Sequence, residues 1–82
     1  ENAYPNPFNP STTFQFSLPE FSEVILTIYN AKGQVVENLI SEIYPPGVHR
    51  LRWDAAEKAS GMYFLRFQTG NYTRIQKLVL MK

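Results

Sequence analysis

Few groups in this chain can act as acid, base, nucleophile or metal ligand. There is one histidine, His49, and no cysteine. The seven carboxylates are Glu1, Glu20, Glu23, Glu37, Glu42, Asp54 and Glu57. With one imidazole and no thiol, neither a zinc site nor a thiol site can be assembled. Glycoside hydrolysis needs two carboxylates facing each other across a cleft. Most of these lie at turns or outward strand positions, and so small a chain has little room for a cleft. No glycine-rich phosphate loop is present. His49 shares parity with Leu51 and Trp53 near the start of an alternating run, which predicts a half-buried, hydrogen-bonded histidine. Asp54, directly after Trp53, reads as a turn-capping carboxylate. Asn71-Tyr72-Thr73 has the form of a glycosylation sequon but falls on a turn, where it reads as coincidence. The expectation is a non-enzyme without catalytic residue, metal or cofactor.

Composition narrows the class further. Eighty-two residues make one domain, expected to span 1–82. A chain of this size buries only roughly 60% of its unfolded surface, so its stability should be modest. Hydrophobic residues are 44% and aromatics 15%, enough for a core and too many for disorder. Without disulfides the fold must rely on packing. A net charge of +1 gives no electrostatic case for nucleic acid. No run of 18 apolar residues exists to span a membrane. Glu1 opens no signal-peptide pattern, and the chain begins in mid-motif, as if cut from a longer protein.

The remaining residues describe strands. Tyr4-Pro-Asn-Pro-Phe-Asn-Pro10 has three prolines in six residues, which forbid a helix and remove ladder donors. An extended segment pinned to a sheet edge by Tyr4 and Phe8 is expected; the alternative is a proline-rich linker, against which the two aromatics argue. Phe14, Phe16 and Leu18 alternate on one face of residues 12–18, and Val24, Leu26 and Ile28 on one face of residues 23–30. Ala31-Lys32-Gly33 is a turn. Residues 34–40 read as a strand, although Val36, Leu39 and Ile40 also fit helical spacing. Pro45-Pro46-Gly47 is a stop. Leu51 and Trp53 alternate in residues 48–53, and residues 54–60 form a polar loop with room for one helical turn. Residues 61–82 read as a hairpin turning at Gly70-Asn71, with Tyr63, Leu65 and Phe67 on one face. In its second strand Ile75 sits on one parity and Leu78 and Leu80 on the other. That requires a bulge near Gln76-Lys77 or cover on both faces. Seven extended pieces with turns every eight to twelve residues suggest an antiparallel sandwich.

Tyr4-Pro-Asn-Pro-Phe-Asn-Pro-Ser-Thr with Phe14 and Phe16 closely resembles the opening of the C-terminal sorting domains of the type IX (Por) secretion system. Tyr29-Asn30, Gly33-Gln34 and Val36 resemble that family's second block, and Pro46-Gly47, His49 and Trp53-Asp54 its third. Ser60-Gly61-Met62-Tyr63 with Arg66, and Lys77-Leu-Val-Leu-Met-Lys82, resemble its final hairpin. The departure is Ala55, where the family usually has Gly, which bears only on the local turn. The resemblance implies an all-β, seven-stranded immunoglobulin-like antiparallel β-sandwich, related to the Ig-like domain of flagellar hook-capping proteins. It implies a secretion signal at the end of an exported cargo protein. The implied partners are the outer-membrane translocon, the surface-attachment (sortase) proteins and an N-terminal cargo domain, with no nucleic acid and no membrane span. Recognition is expected on the final hairpin, at Gly61, Tyr63, Arg66, Lys77, Leu78, Val79, Leu80 and Lys82. Leu78-Val-Leu-Met81 is apolar on both parities, an oddity that fits strand addition to a partner, with the lysines setting register. The plainer alternative is cover of that second face within the domain. A competing function is a carbohydrate-binding or spacer module, with Phe21, Tyr44 or Tyr72 stacking on sugar rings.

Overall fold

The structure, a computed structural model, describes residues 10–70 and 72–81. They form six strands: β1 (Ser11–Leu18), β2 (Ser22–Asn30), β3 (Val35–Tyr44), β4 (Gly47–Asp54), β5 (Gly61–Thr69) and β6 (Tyr72–Leu80). One sheet pairs β1 with β4, and the other has the order β3-β2-β5-β6, all antiparallel. Six strands, not the expected seven, are formed by the described residues. The proline-rich segment with Tyr4 and Phe8, the turn residue Asn71, and Lys82 lie outside them.

Alternation fixes the inner faces. Phe14, Phe16 and Leu18 of β1, Val24, Leu26 and Ile28 of β2, Trp53 of β4, and Tyr63, Leu65 and Phe67 of β5 are all buried, as their parity predicts. The rings of Phe14 and Phe16 meet Phe67 at 5.5 and 5.2 Å, so the two sheets close on an aromatic layer. Trp53 stands edge-on to Tyr63 at 5.5 Å. Its indole N–H donates to Glu37 Oε1 at 2.9 Å, tying β4 of the small sheet to β3 of the large one.

Two strands depart from the expectation. β3 is the strand expected rather than the helix its spacing also fits, but it continues to Tyr44 instead of ending at Ile40. Its pairing with β2 slips twice, between Leu26 and Thr27 and between Ile28 and Tyr29. Each slip sets an extra β3 residue against one partner. This is why Val36, Leu39 and Ile40 all lie against the core at a spacing that imitates a helix. β6 has no bulge, and no described residue covers Ile75 on its outer face. Pairing with β5 runs unbroken from Gly61 opposite Leu80 to Thr69 opposite Tyr72. Leu78 and Leu80 therefore face inward, each about 1% exposed, while Ile75 faces outward at 63%.

The turns are held by the residues the sequence marks for them. Asn30 Oδ1 accepts from the N–H groups of Lys32 and Gln34 at 2.9 and 3.0 Å, and Gly33 takes φ +84. Gly70 turns the final hairpin at φ +53. Asp54 Oδ1 accepts from Ala56 N–H at 3.0 Å, the expected cap. The loop after it is a turn closed by Lys58 N–H to Ala55 O, with no helix. Ala55 is fully buried and donates to Pro10 O at 2.8 Å. No non-glycine residue among those described has positive φ, so alanine fits where the resembling family usually has glycine.

Candidate functional site on the outer face of the four-stranded sheet

The blocks that carry the family resemblance separate into two sets once their side chains are placed. The first set holds the fold. His49 is half-buried, and its Nε2–H donates to Pro45 O at 2.7 Å across the β3–β4 turn, as predicted. Asn30, Gly33, Trp53 and Asp54 act in the turns and the inter-sheet tie described above. Tyr63 Oη donates to Ala59 O at 2.6 Å, anchoring the loop that enters β5.

The second set faces outward from the four-stranded sheet. Register places Val35, Tyr29, Phe64 and Lys77 side by side across β3, β2, β5 and β6, and Asn38, Thr27, Arg66 and Ile75 in the neighbouring row. Arg66 Nη1–H donates to Tyr29 Oη at 3.2 Å, across 37 residues of sequence. Thr27, opposite Arg66, is buried although its parity is outward. Tyr29, Gly33, Phe64, Arg66, Thr73 and Ile75 line an open groove of about 620 Å³.

The groove sits in an apolar surface. Val35, Ile43, Met62 and Ile75, four of the eight large exposed hydrophobic residues among those described, lie on this face. The outer face of the small sheet is mostly polar by contrast, with Thr13, Gln15, Ser17, Arg50 and Arg52 beside a single exposed apolar residue, Val48. An apolar patch with a placed cation makes this face the candidate site.

The residues expected on the recognition hairpin divide in the same way. Arg66 and Val79 are half-buried and Lys77 exposed, all on the outer face. Gly61 is exposed at the start of β5, with φ +148. Tyr63, Leu78 and Leu80 are buried. Sequence reasoning missed Tyr29, Phe64 and Ile75. The available signal was the apolar side chains on the outward parity of β5 and β6, at Met62, Phe64 and Ile75. The sugar-stacking residues form no platform of this kind. Tyr44 stands edge-on to Phe16 and His49, Tyr72 edge-on to Phe67, and Phe21 is exposed on the β1–β2 connection. Among the described residues no helix is long and apolar enough to cross a membrane, and no group of three or more His, Asp or Glu residues could hold a metal ion.

A family model described as the secretion system C-terminal sorting domain matches residues 2–81. No curated protein and no solved structure matches the chain.

Proposed function

Because the chain belongs to the secretion system C-terminal sorting domain family, we propose that the outer face of β2, β5 and β6 is the surface its export machinery reads. The family fixes the general role. The chain is a sorting signal for type IX secretion, directing an attached N-terminal cargo across the outer membrane to the cell surface or beyond. Its role is sorting rather than catalysis, and the carbohydrate-binding alternative finds no support.

The observation that carries the surface assignment is the division of the family-like residues. Those pointing inward or into turns are accounted for by core packing or a turn contact, whereas Tyr29, Arg66 and Lys77 are presented together on one outer face beside Phe64 and Ile75. Tyr63, Leu78 and Leu80 then belong to recognition indirectly, by setting the position of the hairpin. Gly61, Val79 and Lys82 complete the proposed recognition segment. The partners are the outer-membrane translocon and the proteins that attach the cargo to the surface.

Residues 1–82 form one immunoglobulin-like unit in this reading. Two features support it. The sheet orders β1-β4 and β3-β2-β5-β6 match B-E and C′-C-F-G of the immunoglobulin plan. The Tyr63–Ala59 bond has the form of the tyrosine corner at the start of strand F.

The test is a reporter fused ahead of residues 1–82 in a host with the type IX system. Ile75→Arg with Lys77→Glu should leave the melting curve nearly unchanged, since exposed substitutions usually cost less than about 0.5 kcal/mol. The reporter should remain in the periplasm. Normal export of this folded variant would move the recognition surface elsewhere.

A further inference from the structure

We infer that the groove around Arg66 takes an extended peptide segment of the export machinery in which a carboxylate side chain is flanked by apolar ones. This rests on the outer face being the surface that is read. Arg66 is a half-buried cation set in apolar walls. Its one hydrogen bond to a described residue goes to a neutral phenol at 3.2 Å, and no carboxylate is among the described groove residues. A guanidinium carries five N–H donors in a planar fork suited to a carboxylate, and the phenol uses one. Among the described residues of this face the acidic one is Glu23, at the far end of β2 opposite Ile43. It is four residues beyond Thr27, or about 13 Å along the strand. Lys77, diagonal to Arg66 across the β5–β6 pair, adds to the positive potential that would attract an acidic segment.

The walls select the rest of the ligand. Tyr29, Phe64 and Ile75 gain nothing from a bare anion, whereas a peptide with apolar side chains beside its carboxylate covers them. The groove is open and runs over a sheet surface, which suits an extended chain. A second copy docking face to face about a two-fold axis through the groove would oppose Arg66 to Arg66 or Lys77 and bring no carboxylate to it.

The experiment immobilises the full 82-residue chain and passes over it two heptapeptide libraries. Both are randomised among apolar residues, one around a central aspartate and the other around a central asparagine. The aspartate library should be retained at least tenfold more strongly. Arg66→Gln should abolish that preference, Arg66→Lys should keep part of it, and both variants should keep the parental melting curve. Equal retention of the two libraries, or a preference that survives Arg66→Gln, would overturn the inference. So would a dimer in sedimentation that Ile75→Arg dissociates. Reporter export separates this from the broader reading. If Ile75→Arg blocks export while Arg66→Gln does not, the face is read without a carboxylate, and only the inference falls. If both variants export normally, the surface assignment itself falls.

Discussion

Leu78→Ala and Ile75→Ala, three residues apart on β6, should differ sharply in their cost. Leu78 is about 1% exposed and faces the core, whereas Ile75 is 63% exposed on the outer face. Truncating a fully buried leucine removes its transfer free energy and leaves a cavity, a loss of about 2–5 kcal/mol. The whole 82-residue domain, at roughly 0.05–0.15 kcal/mol per residue, has only about 4–12 kcal/mol of stability. A loss of ~3 kcal/mol should lower Tm by about 12–24 °C for a domain of this size. Ile75→Ala should stay within about 0.5 kcal/mol, because an exposed side chain has little burial to lose. Calorimetry and urea titration of both variants measure the difference. Equal losses would mean that β6 does not present one inner and one outer face, and the surface assignment would lose its basis.

Two further outcomes follow from particular contacts. A double-mutant cycle with Trp53→Phe and Glu37→Ala should show coupling of about 1–2 kcal/mol, since the indole donates to a carboxylate between the two sheets. Additive losses in urea melts would show that the tie contributes nothing. Tyr44 loses solvation at the core edge and lies beside Glu42, which repels its phenolate and bonds the neutral hydroxyl. These causes raise its pKa above 10.0. The folded state thus holds the proton more tightly than the unfolded chain. Its stabilising contribution is full below the unfolded value and is lost as pH rises from there through the folded pKa. Glu42→Gln should lower that pKa part of the way in a phenolate absorbance titration read against Tyr44→Phe, leaving the larger effect of desolvation.

The regular strands were legible in the sequence because their inward residues keep strict alternation: Phe14, Phe16 and Leu18, then Val24, Leu26 and Ile28, then Tyr63, Leu65 and Phe67. The turns were legible where a residue has a local partner, as with Asn30, Asp54 and His49. β3 was ambiguous for a physical reason. Two register slips break its period, and Val36, Leu39 and Ile40 then share a side at helical spacing. The contradiction in β6 dissolves once Ile75 is accepted as an exposed apolar residue, which alternation alone treats as a defect. The candidate site was the least legible part. Arg66 and Lys77 were identified through the family resemblance. Their company with Tyr29, Phe64 and Ile75 depends on β2 lying beside β5, a pairing that joins residues 37 apart.

The central claim is that the machinery touches the outer face of the four-stranded sheet, and site-specific photo-crosslinking in exporting cells tests it most directly. A photoreactive residue at Ile75 should form a covalent adduct with a component of the type IX system while the cargo is in transit. The same residue at Ser17, exposed on the outer face of the small sheet, should form none. Adducts from Ser17 and none from Ile75, with both proteins exported, would contradict the account.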